Sequence, residues 1–389
     1  MTWTDSRGVV QEYNICCGVQ DEIEGEDDVD FSAESLGDYI FDELKLIGVD
    51  LFEDVDFICG DNCATNRKLA QLITARILEN KGPAEAWTVP LVGCNSHRLN
   101  LCRQDFYNSE ERSLLLQKVD GFMKSVRALK NSSKLRKQIK LCPQRKNSTR
   151  WTSCNDTMQK MKKLEPFIPA CGFDDTVLAN VPTALESATL EEMIKTDGPF
   201  KSTSLALQRG GDNRLSLAQV RDLFDKLIEA FPETAGRLGP ASTIVQSPHF
   251  ENAVVKVQSG QEGCLSRLEK EKIKRFLQST SVDEDDSSSD NDNDTNWADK
   301  VIAQEAKRRK VLKSKYRPMH HIASTSNIVE RLFSRAKLIM RPHRKLMSPY
   351  HLELLIFLRS NRDLWNEETV DKAIKKTGNL NDNEVIHII

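Results

Sequence analysis

Between Ser324 and Asn361 the chain carries two apolar repeats joined by a short basic turn. Ile328, Val329, Leu332, Phe333, Ala336, Ile339 and Met340 recur at steps of three and four, which places them on one stripe of a helix. Pro342 ends that helix, because its ring clashes with the preceding turn and it has no N–H to donate. Ser348-Pro349 reads as the next helix start, and Leu352, Leu355, Ile356 and Leu358 form its stripe. Leu354 and Phe357 widen that stripe well beyond one face. A helix apolar nearly all round must be covered by the core on one side and by something else on the other. A second copy of the chain is the simplest cover. Leu332, Phe333, Ile339, Leu352, Leu355, Phe357 and Leu358 are the expected dimer contacts.

The other end of the chain has a different rhythm. Val9 to Gln20 is β-rich, with Trp3-Thr4 closing an earlier strand, and the acidic run Asp21 to Asp30 reads as a solvated loop. Ser32 is a candidate N-cap for a helix striped by Leu36, Ile40, Leu44 and Ile47 and stopped at Gly48. Val55 to Cys59 is a short strand running into Gly60-Asp61-Asn62. A helix with Leu69, Leu72, Ile73 and Ile77 on one face follows. Val89 to Gly93 is a further strand, and Cys94 opens a helix. Strand and helix in alternation predict a mixed α/β sheet. An Asp where a strand ends and a helix begins is where such sheets place ligands.

From Ser113 to about Leu277 the periodicity is helical. Leu114, Leu115, Val119, Phe122, Met123 and Val126 make one stripe, and Leu217, Val220, Leu223, Phe224, Leu227 and Phe231 another. Pro182 and Gly210-Gly211 are loop points. Val282 to Thr295 is acidic, serine-rich and aperiodic, which predicts a disordered linker. Lys307 to Lys310, in a basic stretch ending at Arg317, is either a nuclear import signal or phosphate-contacting patch, or else a solvated helix face. The net charge of −3 therefore conceals strong segregation of sign. Ten cysteines without paired C-x2-C spacing, in a chain whose first residues do not resemble a signal peptide, predict reduced thiols. No apolar run reaches the length of a membrane span, so no membrane partner is expected.

Three stretches resemble hAT-family transposases. Gly60 to Asn66 (GDNCATN) with Gly93 to Leu101 (GCNSHRLNL) is similar to their RNase H-like core, and Ser148 to Met158 (STRWTSCNDTM) continues the similarity. Ser326, Glu330, Arg331, Phe333, Ser334, Arg344, Leu346, Pro349 and Asn361 match their C-terminal dimerisation region. The resemblance covers most of the chain, weakly in the middle. It implies an α/β fold: an incomplete RNase H-like mixed sheet, an inserted all-helical domain, and a C-terminal helical dimerisation segment. The expected division is 1–105 for the core, 106–280 for the inserted domain, 281–317 for an acidic then basic linker, and 318–389 for the dimerisation segment that completes the core.

DNA transposition of this kind needs three carboxylates around two divalent ions roughly 4 Å apart. The resemblance assigns Asp61 as the second carboxylate and Glu330 as the third, and both as metal ligands. The family's first carboxylate stands in a motif like Asp-Gly-Trp-Thr, and no Asp-Gly-Trp occurs in these residues. Asp5, in an Asp-Ser-Arg-Gly turn, points at different space. Asp61 also suits a turn that caps the following helix. Cys94 and His97 form a C-x2-H pair that matches the family. Two ligands do not make a structural zinc site, so packing is the expected role.

Trp151 matches a tryptophan that stacks on DNA in relatives, with Arg150 beside it. Lys134, Arg136, Lys137, Arg145 and Lys146 supply a basic approach. The alternative for Trp151 is a buried core residue. The expected protein is thus a nuclear, transposase-derived dimer or higher oligomer. It binds DNA, does not cut it and needs no cofactor. The alternative is a fragment of an active transposase using Mg²⁺ or Mn²⁺, its first Asp supplied upstream. A third reading is an interaction scaffold with no nucleic-acid contact.

Overall fold

The computed structural model describes residues 2–4, 10–12, 32–46, 48–50, 53–82, 87–143, 152–278, 296–308, 314–340, 347–362 and 365–377. The chain forms two units. Residues 1–91 and 320–389 make the first, and 92–319 the second. The protein is mainly helical with a small parallel two-stranded sheet, a mixed α/β composition.

In the first unit, β1 (Thr2–Thr4) pairs antiparallel with β2 (Val10–Glu12), Trp3 standing opposite Gln11. Trp3-Thr4 closes the earlier strand as expected, and that strand forms a ribbon with the one that follows. Helix α1 (Ala33–Leu46) starts where the sequence placed its cap: Ser32 Oγ accepts the Ser35 N–H at 3.1 Å. Then come β3 (Ile58–Gly60) and α2 (Ala64–Lys81). Leu69, Ile73 and Ile77 of α2 are buried against Leu36, Ile40, Phe41 and Leu44 of α1, with Val55, Ile58, Trp87 and Val89. β4 (Leu91–Gly93) lies beside β3, and Ile58 N–H donates to the Pro90 carbonyl at 3.0 Å.

The second unit is helical. α3 (Asn95–Tyr107), α4 (Glu110–Arg127), α5 (Leu129–Gln138), α6 (Thr152–Leu164), α7 (Asp175–Leu178) and α8 (Ala184–Leu207) follow in order. After them come α9 (Leu217–Ala230), α10 (Ala235–Leu238), α11 (Pro248–Gln258), α12 (Arg267–Lys272) and α13 (Trp297–Arg308). One apolar cluster joins α4, α5, α6 and the first part of α8 through Leu115, Phe122, Met123, Met158, Met161 and Leu190. A second joins α3, the end of α8, α9 and α13 through Leu99, Phe200, Leu223, Phe224, Leu227 and Val301. Leu99 and Cys102 lie in that second cluster, so α3 belongs here rather than with residues 1–91.

Two details differ from the periodicity. Leu114 is exposed, because it sits about 100° round the helix from Leu115, off the buried arc. α8 runs through Gly198-Pro199 without stopping.

The last three helices return to the first unit: α14 (Asn327–Ile339), α15 (Pro349–Ser360) and α16 (Glu367–Thr377). Ser348 caps α15 by accepting the His351 N–H at 3.3 Å, with Pro349 in the first turn as expected. Two expected loops, Asp21–Asp30 and Val282–Thr295, lie outside the described residues.

Candidate functional site

Gly60-Asp61-Asn62-Cys63 is a locked turn between β3 and α2. Asp61 is exposed. Its Oδ1 accepts the Cys63 N–H at 3.3 Å and the Asn66 side-chain N–H at 2.7 Å. Cys63 is the N-cap of α2, its Sγ accepting the Asn66 N–H at 3.4 Å. A Cβ on Gly60 would stand 2.8 Å from Asn66 Nδ2, so glycine leaves room for this side chain to cross the turn unshifted. The amide atoms of Asn62 are enclosed and make no hydrogen bond. An enclosed amide without partners costs on the order of 1–3 kcal/mol, and such groups concentrate at sites with a use for them.

Glu330 lies in the first turn of α14, exposed, where a negative charge suits the positive end of the helix. It shares the first unit with Asp61. Among the described residues no three His, Cys, Asp or Glu side chains gather as a metal-holding group. Asp61 is already engaged in its turn. As placed, this donor set does not fit a two-ion centre, and no catalytic step is derived through metal.

What the sequence missed is the tether between these two segments. His321 Nε2 lies 3.2 Å from Asp56 Oδ2, both nearly buried. The His321 ring also tilts against Phe57, centroids 6.2 Å apart. Ile322, Ser324 and Thr325 are buried as well. The C-terminal segment is thus fastened to the residues entering β3, just ahead of Asp61. Neither Asp56 nor His321 has a periodic signal in the sequence.

α14 and α15 pack together, with Arg335 donating to Ser360 Oγ at 3.2 Å. Of the residues expected at the dimer contact, Ile339 is buried in its own chain. Leu332, Leu352, Leu355, Phe357 and Leu358 are half-buried, and Phe333 is 70% exposed. Val329 is exposed one turn before Phe333 on α14, and Met340, just past the end of the helix, is exposed too.

In the second unit the GCNSHRLNL segment, residues 93–101, builds a polar core. Cys94 is the buried N-cap of α3 and His97 is half-buried. The buried charge of α3 lies in its arginines, which the sequence did not single out. Arg98 donates to the carbonyls of Arg237 and Gly239 at 3.2 and 3.0 Å and to Asn95 Oδ1 at 3.1 Å. Its Nη1 lies 3.8 Å from Glu251 Oε2, and Glu251 Oε1 accepts the Gly93 N–H at 3.4 Å. Burial pushes the Glu251 carboxyl up to about 7, against the pull of Arg98. Burial also draws Arg98 down to about 10.

Arg103 forms a forked pair with Asp197 at 2.8 and 2.7 Å, both side chains almost wholly buried. Asn155 Nδ2 is enclosed without a hydrogen-bond partner.

The basic approach is partly visible. Lys134 is spent on the Gly172 carbonyl and Asp174, and Arg136 on the Ser132 carbonyl and hydroxyl. Lys137 and Lys140 are exposed. Arg145, Lys146, Arg150 and Trp151 lie outside the described residues, as do Arg344 and Leu346. Among the described residues no helix is long and apolar enough to cross a membrane. The chain matches no protein-family model and no curated protein.

Proposed function

We propose that this chain is a hAT transposase-derived protein that self-associates through its C-terminal helices and binds DNA in the nucleus without cutting it. The first unit is the remnant of an RNase H-like core, and the second is the helical domain set into it. The observation that carries the reading is the tether of His321 to Asp56. It returns the segment bearing Ser326, Glu330 and Phe333 to the unit that holds Asp61, with residues 92–319 between the two in sequence. That is the interleaving the resemblance implies. Phe333, exposed beside Val329 and Met340, supports self-association, because a soluble chain seldom leaves such a stripe uncovered.

DNA contact rests on Lys137 and Lys140 with Arg145, Lys146, Arg150 and Trp151 in the adjoining sequence. Lys307 to Lys310 would serve nuclear import. The absence of cutting rests on the engagement of Asp61 in its turn, where its carboxylate is held by Cys63 and Asn66.

One observation favours a second reading, a fragment of an active transposase. Asp61 stands exposed at the carboxyl end of β3, where α/β sheets hold ligands, beside the unpartnered amide of Asn62. A nicking assay with Mg²⁺ or Mn²⁺, run on this chain and on the chain extended through any in-frame upstream Asp-Gly-Trp-Thr segment, separates the two. No cleavage by either is expected. Cleavage that disappears in Asp61→Asn would establish the second reading instead.

A further inference from the structure

α16 is a second amphipathic helix with an exposed apolar face. Val370 and Ile374, one turn apart, are exposed, Ile374 to 62%. Its residues Glu367, Glu368 and Asp371 are acidic and precede the basic Lys372 and Lys375. The apolar face of α14 runs from Val329 to Met340, eleven steps or about 16 Å at 1.5 Å per residue. α16, at eleven residues, has about the same length. At the end of α15 Asn361 is buried and donates to the Phe357 carbonyl at 3.1 Å, and the Trp365 indole, ahead of α16, donates to the Leu358 carbonyl at 2.9 Å. Both apolar faces are exposed in one chain.

We infer that α16 of one copy lies antiparallel on the Val329–Phe333–Met340 face of α14 in a second copy, and reciprocally. The charges select the direction. At about 100° per residue, Glu330 and Lys337 flank the α14 stripe on one side, about two turns apart. Asp371 and Lys375 flank the α16 stripe in the same rotational sense. Two helices facing each other bring such flanks together only when they run antiparallel. In that register Phe333 meets Ile374, Lys337 meets Glu367 and Asp371, and Glu330 meets Lys375. A parallel arrangement would separate the charged flanks and set acidic helix starts side by side. The exchange is isologous, so each contact is made twice.

This inference rests on the proposed self-association and names the surface that covers α14. The test is sedimentation equilibrium on the full chain. Val370→Asp with Ile374→Asp is expected to weaken dimerisation by tenfold or more, on the order of what loss of a central apolar anchor does. Both positions are exposed, so the fold should survive. Lys337→Glu is expected to weaken the dimer, as is Glu367→Lys with Asp371→Lys, and all three together to restore it.

If Phe333→Asp breaks the dimer while the α16 double variant does not, the inference falls and self-association through α14 stands. If the charge exchange fails to restore the dimer, the antiparallel register is overturned. If the unaltered chain is a monomer at every concentration, both readings fall.

Discussion

Asp56 and His321 lie 265 positions apart in the chain and 3.2 Å apart in space. The pair stands just ahead of β3 and six residues ahead of α14, so it joins the Asp61 turn and the Glu330 helix within one unit. His321→Ala should cost on the order of 1–3 kcal/mol, the loss expected when a buried polar partner is left unsatisfied. It should also speed proteolytic cleavage between residues 320 and 327. Limited proteolysis with mass mapping reads this out, and an unchanged cleavage rate would contradict the tether.

Arg103 and Asp197 make the tightest buried ion pair among the described residues of the helical unit. Asp197→Ala strands the guanidinium in apolar surroundings, and a broken buried pair of this kind costs about 3–5 kcal/mol. Removing both charges with residues of similar volume, Arg103→Met with Asp197→Leu, should cost much less. Urea melts of the two variants check this. Equal losses would mean that the pair stabilises the fold by its own attraction rather than by mutual compensation.

Glu251 gives the helical unit a pH response. Its folded carboxyl is raised to about 7 from an ordinary value of 4.5. The folded chain therefore holds this proton more tightly than the unfolded chain. The stability it contributes is fully present below about pH 4.5 and is lost as pH rises through 7, up to an amount on the order of 3 kcal/mol. Urea midpoints should fall between about pH 5 and 8, and Glu251→Gln should flatten that fall. A slope unaltered by the substitution would contradict the assignment.

The sequence made the periodic elements legible and left the polar ones hidden. Ser32 announced α1, and Leu217, Val220, Leu223, Phe224 and Leu227 announced α9, because caps and apolar periods are local. Asp61 was legible as a turn residue, but its bond to Asn66 was not. Arg98, Arg103 and His321 carry no such local signal, since arginine and histidine are seldom buried without partners. Their partners stand 141, 94 and 265 positions away, beyond the reach of any local pattern. Ile339 and Phe333 share one sequence stripe, yet one faces the chain and the other faces out.

DNA binding should respond to the exposed lysines rather than to Lys134, which is held by Gly172 and Asp174. Lys137→Glu with Lys140→Glu should weaken binding uniformly across DNA sequences. It should also lower the salt slope by about one for each phosphate that a lysine no longer neutralises. Fluorescence anisotropy at several salt concentrations measures both. An unchanged affinity would favour an interaction scaffold that does not touch nucleic acid.

Phe333 decides the larger question most directly. Sedimentation equilibrium of the unaltered chain should show a dimer, and Phe333→Asp a monomer with the same circular dichroism. A chain that is monomeric throughout, or a Phe333→Asp variant that remains dimeric, would contradict self-association through the exposed face of α14.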